Sequence, residues 1–201
     1  AEATLKSQLP NASIDSTEFY RESPGIPKSL AKIKYSYTNN ESETSWISLG
    51  FLPLSGKIFS ISRQEKIGAR YKPETWTAFD NLQAAFEKKY GAPTFTSKFG
   101  TPPASYIVFD KNMKRTKTEP CMGVVIGSAL LRQTDDRCGI ELGYQWRQGE
   151  DRKFIGLASG LEVALNNYAM INSEIKLINL KAAEIQKQQR EQGSRNNSPK
   201  L

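Results

Sequence analysis

The chain has 201 residues, 38% of them hydrophobic and 10% aromatic, with a formal net charge of +7; these values suit one folded domain and exclude general disorder. It contains no histidine, which excludes Ser-His and Cys-His nucleophile systems and any His-bearing metal centre. No apolar run approaches the roughly 18 residues with which a helix spans a bilayer.

The opening AEATLKSQLP has no initiator Met. A chain trimmed by signal peptidase begins this way, so the expectation is a periplasmic or secreted protein, although a chain cut elsewhere begins the same. Residues 1–29 are rich in Ser, Pro and Asn with sparse apolar positions. They read as an extended segment ahead of a single domain over residues 30–190, and residues 191–201 as a disordered polar tail.

The first clear element is LAKIKYSYT, where Ala31, Ile33, Tyr35 and Tyr37 share one face and Lys32 and Lys34 take the other. That alternation predicts a half-buried strand. SWISLGFL and, after the turn signal PLSG, KIFSISR predict two more. The stretch KPETWTAFDNLQAAFEKKYGAP then places Trp76, Phe79, Leu82, Phe86 and Tyr90 at helical spacings. Pro73 and Glu74 suit a helix start, Lys88 and Lys89 a helix end, and Gly91 with Pro93 a stop.

The block GKIFSISRQ…FDNLQAAFEKKYGAPTF, about residues 56–96, resembles the strand–helix–KYGxP–strand element of small exported bacterial proteins without assigned activity. The resemblance implies an exported α+β domain and carries over no catalytic residue.

Further strands are predicted in TFTSKF, ASYIVFD, MGVVIGSALL and GIELGYQW. In the last, Ile140, Leu142, Tyr144 and Trp146 alternate with Glu141, Gly143 and Gln145. The fold class expected is therefore α+β: a mostly antiparallel sheet of about six or seven strands, one internal helix and one long C-terminal helix.

Cys121 and Cys138 are the only cysteines. A zinc site needs about four ligands, and a two-cysteine site would need two carboxylates, for which Asp135 and Asp136 are candidates by proximity alone; no metal and no cofactor are expected. An even count in an exported chain points to a Cys121–Cys138 disulfide, with buried free thiols as the alternative. A straight hairpin turning at TDDR would hold the two cysteines near 40 Å apart at about 3.3 Å per residue, far beyond disulfide reach. The bond and that hairpin exclude each other.

From Phe154 onward, Leu157, Leu161, Ala164, Tyr168, Ile171, Ile175, Ile178, Ala182 and Ile185 follow spacings of four and three, predicting one long helix packed on the sheet. Val163, Met170 and Leu177 recur at intervals of seven and form a second stripe. It is the candidate partner-binding strip, unless the N-terminal segment covers it. Lys111, Lys114, Arg115 and Lys117 form the densest basic surface, without the interleaved aromatics that stack on bases. The function these features suggest is non-catalytic binding of another macromolecule by an exported protein: an envelope component, a secretion apparatus or a toxin partner. A His-independent enzyme acting on an anionic envelope polymer is the alternative. A protein partner is expected, and no specific nucleic acid.

Overall fold

The computed structural model describes residues 7, 9–38, 43–69, 72–97, 104–117, 135–148 and 156–196. In chain order its strands are β1 (Ser13–Phe19), β2 (Leu30–Thr38), β3 (Thr44–Phe51), β4 (Ile58–Lys66), β5 (Thr77–Ala78), β6 (Phe95–Thr96), β7 (Ser105–Asp110), β8 (Arg115–Thr116), β9 (Cys138–Gln148) and β10 (Leu157–Asn167). Two helices accompany them, α1 (Phe79–Tyr90) and α2 (Tyr168–Asn196). The fold is α+β, as expected.

The strands form one 10-stranded sheet whose main path runs β1-β2-β3-β4-β10-β9-β7-β6, with β5 beside β10 and β8 beside β7. Every pairing is antiparallel. The strand count exceeds the expected six or seven, partly because the N-terminal segment contributes β1 to the sheet. TFTSKF supplies only the short β6 among the described residues, and MGVVIGSALL lies outside them.

The C-terminal helix begins at Tyr168, not near Phe154. Residues Leu157–Asn167 are instead a central strand, paired with β4 on one edge and β9 on the other. The physical reason is that Leu157, Leu161, Val163 and Leu165 satisfy a period of two as well as a helical one. Gly160 then breaks the tie. A Cβ there would lie 2.9 Å from the Glu65 carbonyl oxygen, so the close approach of β4 requires glycine. Asn167 starts the helix, its Oδ1 accepting the Met170 N–H at 3.0 Å.

α2 crosses one face of the sheet. Tyr168, Ile171, Ile175 and Ile178 are buried there, in part against Leu52, Phe59 and Val108. The segment after β1 also packs on this helix: Tyr20 is buried, and Gly25 lies so near that a Cβ would meet the Ile178 carbonyl oxygen at 2.5 Å. From Ala183 to Gly193 every residue is exposed, and as far as Gln188 the helix still lies beside Glu22–Pro27. α1 lies on the opposite face, over Tyr144 and Trp146. It starts at Phe79, later than its sequence suggests. Pro73–Thr75 form a separate 3-10 turn, and Trp76, anchored through Nε1–H to the Ala69 carbonyl at 2.9 Å, leads into β5.

Candidate functional site: an apolar groove beside α1

The α1 face of the sheet is covered unevenly. Phe86 packs on Tyr144 with ring centroids 4.0 Å apart and meets Trp146 edge-on at 6.1 Å. Gln83 donates to the Tyr144 hydroxyl at 2.9 Å and accepts the Trp146 indole N–H at 3.2 Å. These contacts pin α1 to β9. No residue of α1 is fully buried, and toward β4 the sheet is left open.

The opening is a groove of about 640 Å³. Its floor consists of cross-strand partners of β10 and β4: Leu165 beside Ile61, Val163 beside Arg63, and Leu161 beside Glu65. Strand alternation sends all six side chains to one face. Its wall is the α1 stripe Leu82, Ala85, Phe86, Lys89 and Tyr90, brought into line by the helical spacing of three and four. Ile61 is 44% exposed, Tyr90 43% and Leu165 41%. Three large apolar side chains around one groove are the kind of exposed patch that marks a binding surface.

The charges are sparse. Arg63 Nη2 meets Glu65 Oε1 at 2.8 Å, and Arg63 Nε–H donates to the Tyr37 hydroxyl at 2.8 Å. Lys89 holds its ammonium 5.0 Å from the Tyr90 ring centroid. No lining residue is a serine, threonine or cysteine nucleophile, and the one carboxylate already faces Arg63. The described lining presents a mainly apolar surface, with no Ser, Thr or Cys beside a base.

A second polar set lies under α2. The Glu174 carboxylate, buried, accepts the backbone N–H groups of Leu54 and Ser55 at 2.6 and 2.8 Å, in the turn between β3 and β4. Burial, with Glu174 nearby, pushes the Tyr20 phenol up to about 12. The buried Glu141 accepts the Tyr168 hydroxyl at 3.1 Å. Burial and Glu141 together raise both the Tyr168 and the Tyr106 phenols above the ordinary range. Ser60 donates to Asn166 Oδ1 at 2.7 Å. These groups satisfy one another and tie the helix to the sheet.

The sequence-predicted site residues separate. Val163 is on β10 and lines the groove. Met170 packs half-buried against the core on the opposite face, and Leu177 is 50% exposed on the outer side of α2. The expected strip is therefore not one surface, because its first member belongs to a strand. Lys111, Lys114 and Lys117 are exposed around the β7–β8 turn. Arg115 is committed elsewhere: its guanidinium donates to the Ala92 carbonyl just past the end of α1. Cys138 opens β9 and is buried, while Cys121 lies outside the described residues.

β7 and β10 flank β9, β7 from Cys138 and β10 from Ile140 onward, so a strand returning through TDDR has no edge of β9 on which to pair. Asp135 and Asp136 have found other partners. Hydrogen bonds from the Arg137 side chain and backbone hold the Asp135 carboxyl down at about 2, and Asp136 pairs with Lys176 at 3.6 Å.

Sequence reasoning missed the groove. Ile61, Leu161 and Leu165 were readable as apolar, but which of two covered faces they join depends on the sheet order. No helix among the described residues is long and apolar enough to cross a membrane. No protein-family model, curated protein or solved structure matches the chain.

Proposed function

We propose that the protein is an exported, non-catalytic binding protein that captures a component of the cell envelope, and that the groove beside α1 receives the apolar part of that component. The observation that carries this reading is the exposed apolar floor and wall formed by Ile61, Leu165 and Tyr90. The groove's size supports it, lying within the roughly 300–1,000 Å³ typical of ligand sites. A periplasmic or secreted location goes with this reading, as does a Cys121–Cys138 disulfide. The bond is supported by the count of two cysteines and by Cys138 being no free thiol. The pairing of β9 with β7 and β10 on its two edges is compatible with that bond.

The test is a photo-reactive side chain placed at position 165, or at 180 on the outer face of α2, followed by irradiation in envelope extract. A discrete adduct seen by intact mass at 165, absent at 180 and lost when Val163→Asp is added, supports the groove. Equal labelling at both positions contradicts it.

A further inference from the structure

The turn that joins β7 to β8 carries a residue that its own geometry does not favour. Asp110 closes the turn: its backbone N–H donates to the Lys114 carbonyl at 2.9 Å, and its carbonyl accepts the Met113 N–H at 2.9 Å. Its Oδ1 accepts the N–H groups of Asn112 and Lys114 at 2.8 and 2.9 Å. In such a short hairpin loop the last residue takes a positive φ, a place that glycine or asparagine fills with least strain. Here Met113 fills it, with a φ of 61°, and it is the one non-glycine residue of positive φ among the described residues. A bulky side chain strains the backbone there. Packing does not offset that strain, because Met113 is 58% exposed. A strained, exposed apolar residue at the apex of a turn points to a contact made outside the chain.

The neighbours of Met113 give that contact its chemistry. Lys111, Lys114 and Lys117 are exposed and have no ion-pair partner among the described residues. Arg115 keeps its charge, since its acceptor, the Ala92 carbonyl, is neutral. The nearby carboxylates are engaged: Asp110 by the turn's own N–H groups, Asp135 by Arg137 and Asp136 by Lys176. An apolar apex flanked by free lysines matches the layers of an anionic bilayer surface. There an apolar side chain enters below the phosphates, while lysine stems follow it and their ammonium groups stay at phosphate level. A nucleic acid or a flexible acidic chain attracts the lysines but offers Met113 no apolar layer. We propose that the β7–β8 turn docks the protein on anionic membrane lipid, at a surface separate from the groove beside α1 and independent of what the groove holds. The attachment is reversible, because stable anchoring takes more than one such signal.

Co-sedimentation of the full chain with lipid vesicles tests this. Vesicles rich in phosphatidylglycerol are expected to carry the protein down at low salt, and phosphatidylcholine vesicles to leave it in solution. Lys111→Gln and Lys114→Gln should each weaken binding about fivefold. Met113→Gly should weaken it about tenfold, yet raise the thermal midpoint by about 2–4 °C through release of the strained φ. Met113→Leu should bind as the wild type does. A gain in stability joined to a loss of binding is the signature that a merely structural turn would not give. Equal binding to both vesicles, or unchanged binding by Met113→Gly, overturns the proposal. Polyglutamate or duplex DNA bound as tightly as phosphatidylglycerol at the same salt assigns the turn to an acidic polymer and equally contradicts it. No sedimentation with either vesicle removes the site.

Discussion

Glu174 is placed where its loss is legible in stability. Its carboxylate is the acceptor for two backbone N–H groups of the β3–β4 turn, and it is 3% exposed. Glu174→Ala removes two hydrogen bonds to a charged acceptor from a turn in which Leu54 is half-buried and Ser55 exposed, at a cost of about 1.5–3 kcal/mol; urea denaturation is expected to show that loss. Tyr20 gives a pH signature. Its phenol is harder to ionise folded than unfolded, because burial and Glu174 raise it to about 12 from 10.0. The stabilisation is therefore complete below the unfolded value and is lost as pH rises through the folded one. The urea midpoint is expected to fall between about pH 10 and 12, and to fall less in Tyr20→Phe. Neither residue announced itself in the sequence. Glu141 and Glu174 sit where alternation or helical spacing assigns a solvent face, and they are buried because the β9 face under α2 is covered too.

Helix α2 and strand β10 share a sequence in which two periodicities coincide. β2 was legible residue by residue: Tyr35 and Tyr37 are buried, and Lys32 and Lys34 pair with Glu18 and Asp15 at 3.2 and 3.3 Å. The α2 seam was legible from Tyr168 to Ile178 for the same reason. The boundary between β10 and α2 was not, because Leu157 and Leu161 satisfy both patterns, and pairing with β4 and β9 decides between them. The remaining signals were Gly160 and the Asn166–Asn167 pair. Asn167→Ala is expected to cost about 1 kcal/mol through loss of the cap. Ile175→Ala is expected to cost about 2–5 kcal/mol as a large-to-small core change. Leu177→Ala, at a half-exposed position, is expected to stay within about 0.5 kcal/mol. Thermal and urea denaturation of the three variants checks the ranking.

Across the whole molecule, the sheet carries different work on its two faces. Under α2 the apolar and polar groups are buried and mutually satisfied. Beside α1 the floor is open, because Gln83 and the aromatic contacts draw the helix toward β9 and away from β4. The proposed disulfide belongs to this scale as well. A Cys121–Cys138 bond closes an eighteen-residue loop and is expected to contribute about 3 kcal/mol on the loop-entropy account. Unreduced protein should be lighter than the reduced form by two hydrogens, and two free thiols would remove that contribution along with part of the case for export.

The claim that the groove is the binding surface is tested most directly by methyl-resolved NMR, since leucine and isoleucine methyls report from both faces. On addition of solubilised envelope extract, shifts or broadening are expected at Ile61, Leu82, Leu161 and Leu165, with Leu177 and Leu180 unchanged. Changes confined to Leu177 and Leu180 would place binding on the outer face of α2 and contradict the account.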